Sequence, residues 1–348
     1  VRVIAINGSE HVSAARRALR EIAGDIGFDE TIVAEMEIAV SELATNLIVH
    51  RTESGEIVLA EIKDSNGPGL EIVARDRGPG IPDVEEALQD HYSSASSMGC
   101  GLGAVRRLMD EFDIYSNVPD RLPHSEEYRH PRPCGTVVTA RKWLRTAARS
   151  VNEARFQYSA YTRPYPGLTV NGDAYFVEER RDGLFIAVAD GLGHGPDAVE
   201  ASRKAMEYIR HHDPINLELI LIELHARLRK TRGVALTLVH ILPEQQTLIH
   251  TGIGNVEARI YPRSEFSLLP RPGILGVGAP PKPKVTRVPW SSGATLLIYT
   301  DGISGKWDLN ESPELLNSHV TTLCHALFCE DARSNDDTTI VAARETKR

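Results

Sequence analysis

Apolar positions in the first part of the chain recur with the period of a helix and then with that of a strand. Small and apolar residues set among Arg16, Arg17 and Arg20 predict a helix over residues 10–26. Met36, Val40, Leu43 and Leu47 share one helical face and predict a second helix from Asp29 to His50, with Asp29 or Thr31 placed to cap its start. EIVLAEI and GLEIVAR read as strands on either side of the turn-forming DSNGPG. A loop rich in Gly, Pro and Ser follows Asp76 and runs to Gly103. A helix over 104–112, a strand over 113–116, a proline-containing loop and a last strand, GTVVTARKW, complete this part.

A short polar stretch over 144–150 precedes a change of pattern. Strands now dominate: DAYFVEE, LFIAVAD, VALTLVHIL, TLIHTG, VEARIY, TLLIYTD and TTIVAAR. Amphipathic helices are predicted over 198–212 and 217–229, and a third helix over 313–328. The fold class is therefore α+β in two domains, 1–145 and 146–348, and no internal repeat is visible.

Composition narrows the function. The 348 residues carry a net charge of -9, which argues against a nucleic-acid binder and suits a chain that gathers carboxylates. No apolar run approaches the ~18 residues that cross a bilayer, and VRVIAINGSE lacks the layout of a signal peptide. Cys100, Cys134, Cys324 and Cys329 are scattered without a CxxC pair, so reduced thiols in a cytoplasmic protein are expected.

Three features of the front half carry chemistry. Glu42 and Asn46 lie one turn apart on the second helix, where an amide oxygen can ligate Mg²⁺ and a carboxylate can take a proton from a hydroxyl, although an exposed helical face has the same spacing. Asp76 ends an apolar strand and opens Asp-Arg-Gly-Pro-Gly; it can accept a hydrogen bond from an exocyclic amine while Gly78 and Gly80 let backbone approach a flat ring. An ordinary turn would use the same residues. Gly99, Gly101 and Gly103 open a helix, where backbone N–H groups and the helix dipole favour an anion.

In this order, ending with Gly135-Thr136 on a late strand, the motifs resemble the Bergerat-fold ATP-binding family of histidine kinases, gyrase and anti-sigma-factor serine kinases. The resemblance covers about residues 1–145 and implies an α/β sandwich with helices on one face of a mixed sheet. SELATN, VARDRGPGI, GLGAVRRLMDEF and GTVVTARKW look most like the serine/threonine switch kinases of stressosome pathways. The resemblance implies Glu42 as base, Asn46 as Mg²⁺ ligand and Asp76 as adenine reader. It also implies Gly78, Gly80, Gly99, Gly101, Gly103 and Thr136 in the nucleotide pocket, with a short lid between Gly80 and Gly99. His50 is read as a helix-end cap or as a residue facing the phosphates.

In the back half, aspartates stand repeatedly at strand ends. Asp173 follows Gly172, Asp190 precedes Gly191-Leu192-Gly193-His194-Gly195, Asp301 precedes Gly302, and Asp336-Asp337 precede the last strand. Turns use Asp-Gly too. Acids so placed would repel one another if they converged, and oxygen-only sites of this kind suit Mg²⁺ or Mn²⁺.

Gly-Asp, Asp-Gly-x-Gly-His-Gly, Asp-Gly and Asp-Asp-x-Thr, in that order, resemble the PP2C-type metal-dependent phosphatases, in particular their sporulation-stage-II-E-like branch. GLGHGPDAVEAS and GIGNVEARI resemble the short stressosome feedback phosphatases of that branch. The resemblance covers about 150–348 and implies a β-sandwich flanked by helices. It also implies two Mn²⁺ or Mg²⁺ ions held by Asp173, Asp190, Asp301, Asp336 and the Gly191 carbonyl. Asp336 and Asp337 both remain open for the last ligand position, and His194 is read either as a proton donor to the leaving oxygen or as a structural turn residue.

The expectation is a bifunctional partner-switching regulator: an ATP-dependent Ser/Thr kinase module and a metal-dependent phosphoserine/phosphothreonine phosphatase acting on STAS-domain anti-sigma antagonists. The alternative is a phosphatase whose front module senses nucleotide, or binds a sigma factor or activator, without being a kinase.

Overall fold

Helix formation at the front follows the local pattern closely. α1 (Ser9–Ile26) stops at Gly27, which takes φ 97 and donates its N–H to the carbonyls of Ala23 and Gly24. α2 (Glu30–Val49) starts at Asp29, whose carboxylate accepts the N–H groups of Thr31 and Ile32. β1 (Arg2–Ala5), β2 (Glu56–Asp64), β3 (Gly67–Arg75), β4 (Glu111–Asn117) and β5 (Gly135–Trp143) form one sheet in the order β1-β2-β3-β5-β4. Every pairing in it is antiparallel, which corrects the mixed sheet expected from the family resemblance. The reason is that β2 and β3 form a hairpin and each later strand enters beside a neighbour running the other way.

α3 (Val84–Ala87) and α4 (Gly101–Leu108) complete the front helices. The core beneath them is one layer: Leu19, Met36, Val40, Leu43 and Val105 pack on Ile57, Leu59, Leu70, Ile72, Ala74, Val138 and Ala140. Each such side chain contributes on the order of 1.5–3 kcal/mol by leaving water.

The structure describes residues 1–50, 52, 54–64, 67–89, 101–118, 135–144, 155–212, 216–262, 268–332 and 335–346 of a computed structural model. It has two units: Val1–Ala154 with Ser312–Glu330, and Arg155–Glu311 with Asp331–Arg348. The polar stretch over 145–150, read as a linker, lies outside the described residues, as do Cys100 and Cys134. Cys324 and Cys329 are free thiols. No helix among the described residues is long and apolar enough to cross a membrane.

The back unit contains β6 (Phe156–Arg163), β7 (Asp173–Arg180), β8 (Gly183–Gly191), α5 (Pro196–Arg210), α6 (Leu217–Arg227), β9 (Val234–Leu242), β10 (Thr247–Ile253), β11 (Glu257–Tyr261), β12 (Thr286–Pro289), β13 (Thr295–Tyr299) and β14 (Thr338–Glu345). Two sheets form, β12-β10-β9-β8-β7 and β11-β13-β14-β6. β8 reads as a continuous apolar run because both its faces are covered. Leu184, Ile186 and Val188 join Leu296, Ile298, Val341 and Ala343 between the sheets, while Phe185, Ala187 and Ala189 meet Ala201, Ala205 and Leu221 of the helices. This is the helix-flanked β-sandwich expected.

The chain returns to the front unit over Ser312–Glu330. The single helix expected over 313–328 is two, α7 (Pro313–Asn317) and α8 (Val320–Asp331). Ser318 breaks them: its hydroxyl bonds the Leu315 carbonyl, its backbone is extended, and His319 Nδ1 then accepts the Thr321 N–H at the start of α8. α8 meets the polar side of the front sheet. Thr321 Oγ1 donates to Glu71 at 3.0 Å, Thr322 Oγ1 to Thr139 at 3.0 Å, and Arg75 Nη1 lies 2.8 Å from His325 Nδ1. The Arg75 guanidinium also lies 4.8 Å over the Phe328 ring. A sequence boundary at 145/146 assigns this segment to the back half, whereas its packing is with the front sheet.

Candidate active sites

The front unit encloses a cavity of about 290 Å³ between α2, the loop after β3, α4 and β5. Glu42, Asn46, His50, Asp76, Gly80, Gly101 and Thr136 all line it, with Leu43, Leu47, Ile81, Leu102 and Val138 as apolar wall. Helical spacing puts Glu42 and Asn46 on the same side of α2. Asn46 Nδ2 reaches to 4.0 Å from where a Cβ on Gly101 would sit, so the first turn of α4 stands beside the amide.

Asp76 is buried at the floor of this cavity, 6% exposed. Its Oδ1 accepts the Gly78 N–H at 2.6 Å and the Thr136 N–H at 3.3 Å. Burial holds its carboxyl pKa above the ordinary carboxylate value, and these two N–H bonds offset part of that rise. Thr136 Oγ1 is 2.8 Å from Ser116 Oγ, which accepts the Ile81 N–H, so the far wall is hydrogen-bonded through. Two glycines are required here. Gly80 takes φ 76 and a Cβ would lie 2.2 Å from the Asn117 carbonyl; Gly135 takes φ 98 and a Cβ would lie 2.1 Å from the Asp76 carbonyl. Gly78 serves through its N–H, and Gly103 is buried in α4 outside the lining. Gly99 and the second half of the expected lid, residues 90–98, lie outside the described residues.

In the back unit the register of β7 and β8 makes Asp173 and Asp190 direct cross-strand partners. Asp173 is buried and accepts the Thr300 hydroxyl at 2.8 Å on Oδ2. Asp301 accepts the Asn255 amide at 2.7 Å. Asp337, 3% exposed, accepts the Tyr165 N–H at 2.8 Å on Oδ1, and its own N–H donates to Asp336 Oδ1 at 3.0 Å.

The electrostatics show that these acids share one neighbourhood. Burial, then Asp190, raises the Asp173 pKa well above the carboxylate range. Burial, then Asp301 and Asp336, raises that of Asp190 to about 7. Among the described residues, no three His, Cys, Asp or Glu side chains are drawn into a ready-made coordination cage. The donor chemistry nevertheless fits a hard divalent cation. Asp173 Oδ1 and Asp337 Oδ2 are buried without a hydrogen-bond partner, and a Cβ on Gly172 would come within 2.7 Å of that Asp337 oxygen.

His194 is exposed and stacks on Tyr165 with ring centroids 4.3 Å apart. The Gly191 N–H donates to the Gly172 carbonyl at 3.2 Å, which ties the glycine loop to the residue before Asp173. Tyr165 and Asn255 escaped the sequence reading. Neither belongs to a run of acids or glycines, and only the fold brings them to the cluster; the Gly-x-Gly-Asn ahead of β11 is the one local signal for Asn255.

Comparison with known proteins agrees with this division. The family described as histidine kinase-like ATPase domain matches residues 7–142, and the Stage II sporulation protein E (SpoIIE) family matches residues 180–345. Serine/threonine-protein kinase RsbT of Bacillus subtilis (strain 168) is 36% identical over 134 residues, 38% of this chain and 90% of that protein. Phosphoserine phosphatase RsbX of the same organism is 29% identical over 140 residues, 40% of this chain and 70% of that protein. A crystal structure of RsbX in complex with magnesium superposes with a TM-score of 0.50 at 25% identity, covering 57% of this chain and 98% of that one. The chain therefore belongs to the histidine kinase-like ATPases through its front unit, and its back unit matches the SpoIIE family, so that a kinase-type domain is joined to a PP2C-like phosphatase domain as in a partner-switching regulator.

Proposed function

We propose that the two sites perform opposed reactions on Ser or Thr of STAS-domain proteins, the front unit adding phosphate from ATP and the back unit removing it. The observation that carries this is the pair of buried, unpartnered carboxylate oxygens on Asp173 and Asp337 beside Asp190 and Asp301, in a chain that also carries the Glu42–Asn46–Asp76 cavity.

In the front unit Glu42 would take the proton of the acceptor hydroxyl, Asn46 would hold Mg²⁺ through its amide oxygen, and Asp76 would accept from the adenine amine. Both bonds from Gly78 and Thr136 fall on Asp76 Oδ1 and orient the carboxylate toward the cavity. Gly80, Gly101 and Thr136 shape the walls.

In the back unit Asp173, Asp190, Asp301 and Asp336, with the Gly191 carbonyl, would hold two Mn²⁺ or Mg²⁺ ions. Such ions supply an acidified water and polarise the phosphoryl oxygens. Thr300 and Asn255 hold Asp173 and Asp301 in place, and Asp337 fixes the Tyr165 backbone. His194, held against Tyr165, delivers a proton to the leaving serine oxygen. The test is incubation of the chain with a STAS-domain protein, ATP and Mn²⁺. Transfer of phosphate to the protein and its Mn²⁺-dependent removal are expected; neither occurring on any candidate would sink the reading.

A second reading, a nucleotide sensor that gates the phosphatase, draws on one observation. The chain between Asp301 and Asp336 carries α7 and α8, which belong to the front unit, and α8 bonds Arg75, the neighbour of Asp76 in sequence. Phosphatase rates measured with and without a non-hydrolysable ATP analogue separate the readings: a changed rate supports gating, and an unchanged one supports independent sites.

A further inference from the structure

We infer that Arg232 receives the substrate phosphate at the phosphatase site, and that Leu192 and Val277 form an apolar rim that takes the protein surface beside the phosphorylated residue. The inference rests on the hydrolase reading of the back unit.

Arg232 precedes β9 and is half exposed, with Nη2 2.9 Å from Asp197 Oδ2. Its Nη1 lies 3.1 Å from where a Cβ on Gly193 would sit. Gly193 belongs to the glycine loop that follows Asp190, and its carbonyl is 3.4 Å from the Cβ position of Gly172, beside Asp337 Oδ2. A single loop residue thus separates the guanidinium from the carboxylate cluster. Strand β9 and the loop are further joined by the Leu192 N–H bond to the Gly233 carbonyl at 3.1 Å.

The chemistry is complementary. With cations on the carboxylates the cluster draws a phosphate in, and a fixed positive charge at its edge can hold the oxygens that the cations leave free. A guanidinium carries five N–H donors in a planar fork suited to two phosphate oxygens, and Asp197 engages only one edge of it. Folding does not demand the pair, since an exposed ion pair is worth only about 0–1 kcal/mol.

The rim is apolar where a protein substrate would lie. Leu192 is 46% and Val277 49% exposed. Val277 Cγ2 lies 3.0 Å from the Cβ position of Gly233, the residue after Arg232. The loop bearing Val277 is pinned by backbone bonds between Leu275 and Val234, so the rim is built rather than trailing. A phosphate on Arg232 and exposed apolar side chains beside the neighbouring Gly233 match a phosphoserine or phosphothreonine on a folded protein surface better than a small phosphate ester.

Steady-state kinetics of the full chain with Mn²⁺ test this, using p-nitrophenyl phosphate and a serine-phosphorylated STAS-domain protein. Arg232→Ala is expected to raise KM for both substrates and the inhibition constant of inorganic phosphate about tenfold, with the Mn²⁺ activation constant unchanged and Arg232→Lys intermediate. Leu192→Ser and Val277→Ser are expected to raise KM for the phosphoprotein alone. Asp197→Ala breaks the same ion pair and is expected to leave KM within about twofold. Equal effects of Asp197→Ala and Arg232→Ala, or an unchanged phosphate inhibition constant in Arg232→Ala, would overturn the role of Arg232. Equal effects of the rim variants on both substrates would overturn the docking surface. A wild-type chain with no Mn²⁺-dependent hydrolysis of either substrate removes the underlying reading instead; hydrolysis of p-nitrophenyl phosphate alone removes only the STAS substrate.

Discussion

Asp76 in the front unit and Asp190 in the back unit begin from the same local pattern, an aspartate ending a buried apolar strand and followed by glycine-rich chain. Their surroundings make them different reagents. Asp76 is met by two backbone N–H groups, so it can remain a carboxylate that accepts one more hydrogen bond from a neutral amine. Asp190 is met across the sheet by Asp173 and in space by Asp301 and Asp336, and burial with those charges lifts it to about 7. What decides the chemistry is whether the folded neighbourhood supplies donors or further acids.

The largest break in that comparison comes from the acids. Asp190→Asn or Asp173→Asn should lower Mn²⁺-dependent phosphatase activity by more than about a hundredfold, as loss of a metal-held nucleophile implies, while ATP binding to the front unit persists. In the wild-type chain, Mn²⁺ should raise the thermal midpoint of the back unit and a chelator should lower it, read by calorimetry. Next is Glu42→Gln, expected to reduce phosphotransfer by roughly 10²–10⁴ without loss of nucleotide binding; unchanged transfer would remove Glu42 from the mechanism. Asp76→Ala should weaken ATP binding by about 1.5–3 kcal/mol, the worth of a hydrogen bond to a charged group, and leave hydrolysis of p-nitrophenyl phosphate alone.

The smallest and sharpest test uses pH. Burial, then Arg75, holds the His325 pKa well below its ordinary value. Arg75 faces it, and Arg75 in turn is paired with Glu56. The unfolded chain takes up a proton below about pH 6.5 and the folded front unit does not. Its stability is therefore full above that pH and falls as pH drops. Burial lowers His250 in the back unit to about 4, so its own contribution is lost from about pH 6.5 down to about 4, whereas the raised Asp173 and Asp190 act in the opposite direction and favour the folded back unit as pH falls. His325→Gln should flatten the acid loss of the front unit only, followed by denaturant melts from pH 7 to pH 5; equal flattening in both units would refute the assignment.

Much was legible along the chain. β5 and β9 span the very residues the pattern indicated, and α1, α2 and β8 depart by a residue or two, because burial of one or both faces imposes a period that neighbouring residues carry by themselves. β1, β6 and β12 were not legible: they are short or half-buried, and their only signal is a partner strand distant in sequence. The helix expected over 104–112 begins instead at Gly101 and ends at Leu108, since the Asp110 N–H bonds the Arg141 carbonyl and starts the strand there. At the sites, motif residues marked Glu42, Asn46, Asp76 and the aspartates, whereas Ser116, Tyr165 and Arg232 carry no motif and Asn255 has only the Gly-x-Gly before it.

By itself, the order of apolar periods, glycines and acids determined that the chain holds two folds and two kinds of acid site, because those properties depend on neighbours within a few residues. Only the tertiary structure decided that Asp173 faces Asp190, that Arg232 stands at the edge of their cluster, and that Ser312–Glu330 covers the polar face of the front sheet. The first follows from the register of β7 on β8 and the second from the turn of the glycine loop toward Arg232. The last depends on which distant side chains satisfy Arg75, Glu71 and Thr139, and hydrogen bonds between residues 180 or more positions apart leave no periodic trace in a sequence.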